Sequence, residues 1–533
     1  MTIKRATILG TSILALALSA CGGSSSGSPA APPGGQTGSG ISWTQGVFEP
    51  AGTFKDFCEM PRSGTNDVAG SYLHEKHWLR SWSNETYLWY NEITDINPAS
   101  TTYPHPLDYF DILRTDATTA SGAPKDRFHF TYDTEEYEQL VSSGASAGYG
   151  ARIRILNGTP PDREIVIAYV ENNSPASNAG IARGTEILEV DGESVATGDA
   201  DTLNAGLFPE SDGESHTFLV RHNGSGTTTT ITMTSDIVAS DPVLTTTMDT
   251  LGNGETVGYM LFNTFGTSGA EAALFNNVRN FAQAGVDHLV LDLRYNGGGF
   301  LDIASELGYM VAGPSNTNGR VFETLVFNDQ HPTFNPVTGE RISPSPFHST
   351  GQGFSVSTGT ALPTLNLDKV YILSTGSTCS ASESLINALV GINVDVVLIG
   401  TTSCGKPYGF YATDNCGITY FTIQFRGEND VGFGDYADGF SPFEGAATTG
   451  EPVDGCIITD DFTKSLGDSS EAMYAAALTH LETGNCPAAP DAQPDSFVTY
   501  AKPATFEDGN LEADPRIANR NMVLNSRILN RPE

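Results

Sequence analysis

The fold is decided by residues 369–425, KVYILSTGSTCSASESLINALVGINVDVVLIGTTSCGKPYGFYATDNCGITYFTIQF. The stretch opens with a short apolar run, 370–373, that predicts a buried strand. A Ser/Thr/Gly turn follows, and a helical pattern with one apolar face begins at Ser380. A second apolar run, 394–399, predicts a returning strand that leads into the loop of Lys406. Both residues therefore follow buried strands, where open α/β sheets place their functional sites.

Ser380 and Lys406 predict a serine nucleophile and its lysine base. A serine hydroxyl is a weak nucleophile that needs a nearby base. A lysine can be that base only when neutral, so its pKa must fall from about 10.4, and burial achieves this by disfavouring the ammonium. The Tyr/Phe-rich segment after Lys406 predicts such a desolvated position. A helix starting at Ser380 would add N–H donors for a developing oxyanion, of which the Ala381 N–H is the first.

A purely structural interpretation of these residues stays open at this point. Ser380-Ala-Ser-Glu383 also fits a capping box, so Ser380 could only cap a helix while Lys406 is a solvated loop lysine. A second motif weighs against this interpretation. Residues 288–300, HLVLDLRYNGGGF, form a strand pattern that ends in a glycine loop. Glycines let the backbone approach a ligand and present N–H groups, although a tight strand-to-helix turn would also use them.

LDLRYNGGG, TCSASE and GKPYGF, in this order, resemble the motifs of the carboxyl-terminal processing peptidases, which are tail-specific serine proteases of the Ser-Lys type. The resemblance implies that Ser380, the first serine of S-A-S-E, is the nucleophile and that Lys406 is the base. It also implies an oxyanion hole made by the N–H of Ala381 and one N–H of the glycine loop, from Gly297 or Gly298.

Residues 141–237 resemble a PDZ domain. GYGARIRI resembles its carboxylate-binding loop and first strand, and residues 174–195 resemble its small-residue helix, glycine turn and Asp-Gly hairpin. A PDZ domain binds a peptide by strand addition while loop N–H groups hold the terminal carboxylate. The resemblance assigns this carboxylate to Gly148, Tyr149 and Gly150. A β-domain with a structural glycine loop is the alternative.

The start of the chain predicts export. Basic residues precede an apolar run, 6–18, that is too short to span a membrane, which is typical of a secretory signal peptide. Small residues before Cys21 resemble a bacterial lipobox, which implies cleavage before this cysteine and lipidation of its thiol. The predicted organisation is a signal peptide (1–20), a lipidated cysteine with a flexible linker (21–49), a helical domain (50–140), a PDZ domain (141–237), a peptidase domain (238–485) and a tail (486–533).

The predicted fold class is an α/β catalytic domain, preceded by the PDZ β-domain and the small, mostly helical N-terminal domain. The resemblance implies a crotonase-like β-α-β spiral for the catalytic part. The chain has 27 basic and 63 acidic residues, a net charge of −36, which argues against nucleic acid as a partner. We predict no cofactor and no metal. The sequence contains no Cys-x-x-Cys pair, which weakens a zinc interpretation.

Seven cysteines in an exported chain predict oxidation. We expect a disulfide between Cys404 and Cys416 that staples the loop of Lys406. Pairing of Cys404 with Cys379, which lies beside the nucleophile, is a competing expectation, and free buried thiols are a third.

The sequence therefore predicts a serine endopeptidase that is lipid-anchored in a bacterial cell envelope, on its periplasmic or outer-surface side. It would recognise polypeptides by their free C-terminal tails and cleave them through an acyl-enzyme. The alternative is a catalytically inactive PDZ adaptor that binds C-terminal peptides at the cell surface. Phe410 favours the adaptor, because many members of the family carry a polar residue, often Gln, at this position. The complete set of serine, lysine and glycine loop opposes it.

Overall fold

The computed structural model of this protein describes residues 41–443, 445 and 450–487. Predictions for the signal peptide, for Cys21 and for most of the tail and linker concern residues outside these ranges. No helix of the described part is long and apolar enough to cross a membrane.

The main sheet is built from apolar runs. Among the described residues its strand order is β12-β13-β14-β17-β18-β24-β23. All neighbours pair in parallel except β12 and β13, which are antiparallel. These strands and those of the smaller sheets around them are Val243–Thr250 (β12), Thr256–Phe262 (β13), His288–Asp292 (β14), Val321–Val326 (β15), Ser345–Pro346 (β16), Lys369–Ser374 (β17), Asp395–Gly400 (β18), Tyr408–Gly409 (β19), Thr413–Asn415 (β20), Ile418–Phe421 (β21), Phe425–Glu428 (β22), Phe440–Phe443 (β23) and Glu451–Ile457 (β24).

Helices cover both faces of this sheet, which explains why its central strands carry runs of consecutive apolar residues rather than alternate ones. Side chains alternate between the two faces. Leu289, Leu291 and Ile372 share a core with the helices of one face, whereas Val290 and Tyr371 pack on the helix of the other face. The helices are Gly269–Ala284 (α6), Leu301–Thr317 (α7) and Ala381–Gly391 (α8) on the first face and Ala472–Thr483 (α9) on the second.

The 50–140 region shares a sheet with residues of the 238–485 region. Its strand β3 pairs with β21 in the order β20-β21-β3. Its helix α1 buries Trp78 and Trp82, whose rings pack against Tyr420 of β21. The helices of this region are Tyr72–Thr86 (α1), Pro106–Asp111 (α2) and Thr134–Ser143 (α3), its 3-10 helices are Ala51–Thr53 and Tyr90–Glu92, and its strands are Phe57–Cys58 (β1), Val68–Ala69 (β2) and Phe130–Asp133 (β3).

Residues 145–239 build a separate β-sheet with its own apolar core. Its strand order is β10-β9-β7-β6-β5, with β8 paired to β7, so β5 lies at one edge. The two flanking strands β4 and β11 pair with each other. The elements are Ala145–Gly148 (β4), Ala151–Asn157 (β5), Glu164–Val170 (β6), Pro175–Asn178 (α4), Glu186–Val190 (β7), Glu193–Ser194 (β8), Ala200–Leu207 (α5), Ser215–Arg221 (β9), Thr228–Thr234 (β10) and Asp236–Ala239 (β11).

The predicted α/β class agrees with this architecture, which mixes helices with several sheets. The PDZ assignment of residues 141–237 and the crotonase-like spiral stay predictions.

Candidate active site

Three loops meet at one edge of the main sheet. β14, β17 and β18 are parallel neighbours, so the segments that follow them leave the sheet at the same edge. These segments are the glycine loop 293–300, the turn 375–380 and the stretch 401–407. Ser380 and Lys406 both lie in this group of loops, at the place where parallel sheets bring functional residues together.

Ser380 occupies the turn between β17 and α8. Its φ of 58° and ψ of −114° form a conformation that costs an ordinary residue about 1–3 kcal/mol. The side chain is fully buried, and its hydroxyl oxygen forms no hydrogen bond with the described part of the chain. The Glu383 side chain accepts the Ser380 N–H at 3.0 Å, which is the contact expected of a capping box in the S-x-x-E motif.

Glu383 connects the backbone of Ser380 to that of Lys406. Its Oε2 accepts the Ser380 N–H at 3.0 Å and the Lys406 N–H at 2.8 Å. Its Oε1 accepts the Ser403 hydroxyl at 2.6 Å and the Gly405 N–H at 2.7 Å. Burial raises the pKa of this carboxyl, whereas the four donors act to lower it. The sequence marks Glu383 only as part of a capping box, and that spacing gives no sign that it also holds the lysine loop.

Lys406 points its Nζ atom toward two aromatic rings. Its side chain is buried, with 1% of the residue exposed. Nζ lies 4.5 Å from the centre of the Phe410 ring and 4.7 Å from that of Phe128. The desolvated position predicted for Lys406 is therefore present. Sequence reasoning missed Phe128, because no local pattern connects the 50–140 region to this loop.

The glycine loop lies directly against Ser380. A Cβ added to Gly298 would lie 2.7 Å from the Ser380 Cβ and 2.9 Å from the Ala381 nitrogen, so only glycine fits there. The Gly298 N–H donates to the Asn296 side chain at 2.9 Å. The N–H groups of Gly297 and Ala381, by contrast, donate to no acceptor in the described ranges. Of the two glycines named from the sequence, Gly297 thus has the available donor.

A buried network of charges fixes the start of the glycine loop. Arg294 is fully buried and forms ion pairs with Asp292, Asp460 and Glu471. Burial opposes ionisation of Asp460, but Arg294 and then Arg183 hold the pKa of this carboxyl below its ordinary value. Removing one partner of such a network would leave a buried charge uncompensated. The motif LDLR therefore contributes a rigid base for the glycines that follow it.

The expected disulfide between Cys404 and Cys416 is wrong. Cys404 pairs with Cys379, the competing expectation, and Cys416 pairs with Cys58. The physical reason is the pairing of segments. The Cys404 N–H donates to the Thr378 carbonyl at 3.0 Å, which brings Cys404 beside Cys379, whereas the β3–β21 ladder brings the 50–140 region to the hairpin of Cys416.

The remaining cysteines of the described part, Cys456 and Cys486, also form a disulfide. Cys379, Glu383 and Cys404 place possible metal-ligand atoms close together. The two sulfurs are bonded to each other, however, so neither can act as a thiolate ligand.

The residues predicted to bind a peptide carboxylate lie on the separate β-sheet. Gly148 ends β4, and Gly150 has a φ of +70° with its carbonyl accepting the Glu171 N–H at 2.7 Å. The Tyr149 hydroxyl donates to the Gly206 carbonyl at 3.0 Å, which ties the loop to α5. Further along β5, Arg154 donates to the Ser377 hydroxyl at 3.0 Å. The strand after this loop therefore contacts the turn that precedes Ser380.

Comparison with known proteins agrees with this arrangement of motifs. Residues 256–409 match the profile of Peptidase family S41. A carboxyl-terminal-processing protease of Picosynechococcus sp. is 31% identical over 183 residues, which are 32% of this chain and 41% of that protein. A chloroplastic C-terminal processing peptidase of Tetradesmus obliquus is 27% identical over 178 residues, 32% of this chain and 38% of that protein. The chain thus spans about two fifths of the curated relatives it matches.

A solved structure has a similar fold. An S41 protease from Bacteroides fragilis NCTC 9343 superimposes with a TM-score of 0.56, covering 76% of this chain and 97% of its own, at 22% sequence identity. The glycine loop, Ser380 and the first part of the lysine loop all lie within the matched residues 256–409. Residues 256–409 of this chain therefore match a domain of peptidase family S41.

Proposed function

We propose that this protein is a serine endopeptidase that uses Ser380 and Lys406 as a catalytic dyad. The observation that carries the proposal is the double role of Glu383. One carboxylate oxygen accepts the N–H of both residues, so the nucleophile turn and the lysine loop are fixed relative to each other. A base must lie close to its nucleophile before it can activate it.

The proposed mechanism follows from the groups around the dyad. Neutral Lys406 takes the proton of the Ser380 hydroxyl as Oγ attacks the carbonyl carbon of the scissile peptide bond. The N–H groups of Ala381 and Gly297 stabilise the resulting oxyanion. The Lys406 ammonium then returns a proton to the leaving amine, and water releases the acyl group from Ser380. Because Ser380 is fully buried, substrate access requires a covering segment to move.

Burial supports the role of Lys406 as a base. The ammonium form is disfavoured wherever water is excluded, and only 1% of this residue is exposed. Arginine at the same position would keep its charge under all useful conditions. The Phe410 ring centre lies 4.5 Å from the Lys406 Nζ. The residue that favoured an inactive adaptor therefore contacts the proposed base.

The test of this function is proteolysis by the purified full-length chain. We expect cleavage of an unstructured polypeptide with an apolar, free C-terminus. Ser380→Ala should abolish cleavage while changing the free energy of unfolding by only about 1 kcal/mol, and Lys406→Arg should be equally inactive. A Ser380→Ala protein that cleaves at the wild-type rate would exclude the dyad. If the wild-type chain binds C-terminal tails but does not cleave them, the result would instead support the adaptor.

We propose further that residues 141–237 act as a PDZ domain and capture the substrate tail. Edge strand β5 follows the loop of Gly148, Tyr149 and Gly150, and an edge strand can accept a peptide as an added strand. The contact between Arg154 and Ser377 supports delivery of that peptide toward the nucleophile.

The proposed location is a bacterial cell envelope, with the chain anchored through a lipid on Cys21. The disulfides of the described part support an oxidising compartment. Cys21 itself lies outside the described residues, so this proposal depends on the signal-peptide and lipobox pattern alone.

A further inference from the structure

Lys406 is held between two aromatic rings that come from distant parts of the chain. Phe410 follows β19, four residues after the lysine, and is fully buried. Phe128 belongs to the 50–140 region and is 8% exposed. The distances from Nζ to the two ring centres, 4.5 Å and 4.7 Å, are those of a cation–π contact. The lysine loop and the N-terminal region thus each contribute one ring.

The position of the Phe128 ring is fixed by its neighbours. The Phe128 N–H donates to Asp126 at 3.0 Å, and Asp126 in turn accepts the Tyr87 hydroxyl at 2.7 Å. Arg127 donates to the Cys404 carbonyl, two residues before the lysine. The two residues before Phe128 therefore attach it both to the 50–140 region, through Asp126, and to the lysine loop, through the Arg127 side chain.

Aromatic faces interact with the charged form of a lysine and much less with the neutral form. During the proposed reaction Lys406 changes from amine to ammonium, because the Ser380 O–H bond breaks while an N–H bond forms on Nζ and the oxygen electron pair attacks the carbonyl carbon. Stabilisation of that ammonium lowers the barrier, since the interaction is stronger in the transition state than before it. The rings also restrict where Nζ can lie.

We propose that Phe128 and Phe410 form an aromatic clamp that positions Lys406 and stabilises the ammonium produced when it takes the Ser380 proton. This proposal rests on the dyad function proposed above. It makes Phe128 a positioning residue for a base that lies 278 positions later in the sequence (406 − 128). It also assigns to Phe410 the role for which a polar residue was expected.

Other charged and titratable groups face the same loop and must be kept constant in the test. Glu383 approaches from α8 and holds the Lys406 N–H. Arg127 approaches from the segment before β3, and burial lowers its pKa. Tyr408 lies two residues after the lysine, with its pKa raised by burial to about 12. A variant that changes only the electron density of the Phe128 ring leaves these three groups in place.

The experiment replaces Phe128 of the full-length chain with 3,4,5-trifluorophenylalanine, which keeps the ring while weakening its negative face. Phe128→Leu and Phe128→Tyr complete the series at this position. Phe322→Leu is the matched control, because Phe322 is also a buried ring, in β15, and its aromatic partner is Phe347, not the lysine. Steady-state cleavage is measured from pH 6 to 10 (roughly the range over which a perturbed lysine titrates), together with the thermal midpoint.

We expect fluorination to lower kcat roughly three- to thirty-fold with little change in KM. The apparent pKa of the kcat/KM profile should fall, because the ammonium loses stabilisation. Phe128→Leu should act in the same direction, Phe128→Tyr should retain most activity, and Phe322→Leu should retain the wild-type profile. An unchanged kcat and pH profile on fluorination would overturn the clamp, as would an equal loss in Phe322→Leu. Failure of the dyad itself is recognised separately, by an active Ser380→Ala protein.

Discussion

Ser380 adopts a backbone conformation that its neighbours must maintain. The positive φ is held on one side by the Glu383 carboxylate and on the other by Asn296, whose carbonyl accepts the Cys379 N–H and the Ser382 hydroxyl. Strained residues persist only where the surroundings over-determine them. The glycine loop and α8 therefore together hold the backbone conformation of Ser380.

The first residue-scale prediction concerns Gly298. Gly298→Ala should lower kcat/KM by about 100-fold, because the new methyl group would displace Ser380 from its position. The φ of +110° adds backbone strain to this displacement. Cleavage rates and thermal unfolding of the variant measure the two effects.

Gly285→Ala is the control for Gly298→Ala. Gly285 ends α6 with a φ of +70°, and its Cβ would meet nothing within 4 Å. We expect it to lose stability and keep its activity. Equal activity of the Gly298 and Gly285 variants would show that close approach to Ser380 does not matter.

The sequence indicates the two residues of the proposed dyad but not the contacts that hold them in place. Ser380 and Lys406 follow apolar strands, and this local order can be predicted from the sequence. The contact between Phe128 and Lys406 cannot be predicted in this way, because it depends on β3 pairing with β21. The role of Glu383 toward the lysine loop was missed for a related reason, since one carboxylate serves two segments at once.

At the scale of helices, α6 and α7 are joined by two carboxyl groups that share a loop. Glu271 of α6 accepts backbone N–H groups from Gln352, Ser355 and Val356, and Glu306 of α7 also accepts the Gln352 N–H. Burial, followed by the charge of Glu271, raises the pKa of Glu306 to about 9. Glu306 is therefore protonated at neutral pH while Glu271 stays ionised.

Glu306→Gln should remove a pH dependence of stability. Above about pH 4.5 the unfolded chain releases the Glu306 proton, whereas the folded protein keeps it to a pH of about 9. The free energy of unfolding therefore falls between these values by up to about 1.4 kcal/mol per pH unit from this group. The glutamine variant should gain stability relative to wild type from pH 5 to 8.5 in urea unfolding. In the exposed control Glu164→Gln, the free energy of unfolding should depend on pH as it does in the wild type. The same pH dependence in Glu306→Gln would contradict the raised pKa of Glu306.

Strand β5 carries the second prediction at this scale. The measurement uses the Ser380→Ala variant, in which we expect no cleavage. A fluorescent peptide with a free carboxylate should bind roughly ten-fold more tightly to it than the same peptide with an amidated end. The reason is the loss of charge-assisted bonds from the loop before β5. Fluorescence polarisation measures both affinities, and equal values would remove the PDZ proposal.

The elements of the catalytic part were largely predictable. The apolar runs 370–373 and 394–399 correspond to β17 and β18, because strands buried on both faces must be apolar throughout. The small partners β3 and β21 were not predicted, since short strands carry too few residues to show a period. The disulfide partner of Cys404 was decided by the backbone pairing of Cys404 with Thr378, which sequence spacing does not encode.

For the whole molecule, the proposed anchor makes a simple prediction. Wild-type protein expressed in a bacterium should remain with the membrane fraction, and mass spectrometry should find acyl chains on Cys21. Cys21→Ala should carry no acyl chains, because it lacks the thiol that would be acylated. Once its signal peptide, which contains the apolar run 6–18, is removed, the variant should leave the membrane fraction. A variant that stays with the membrane would contradict the anchor, and Cys58→Ala controls for the loss of a cysteine elsewhere.

The link between Cys58 and Cys416 spans 358 positions of the chain. A chain exported from its N-terminus presents Cys58 and β3 first, and both must wait for the hairpin near residue 416 before they find their partners. Closing so long a loop is slow compared with local folding. Phe128 reaches Lys406 only at that stage. If the chain is exported as proposed, this order delays assembly of the proposed site until the hairpin near residue 416 has emerged, so the proposed protease would be inactive while still in transit.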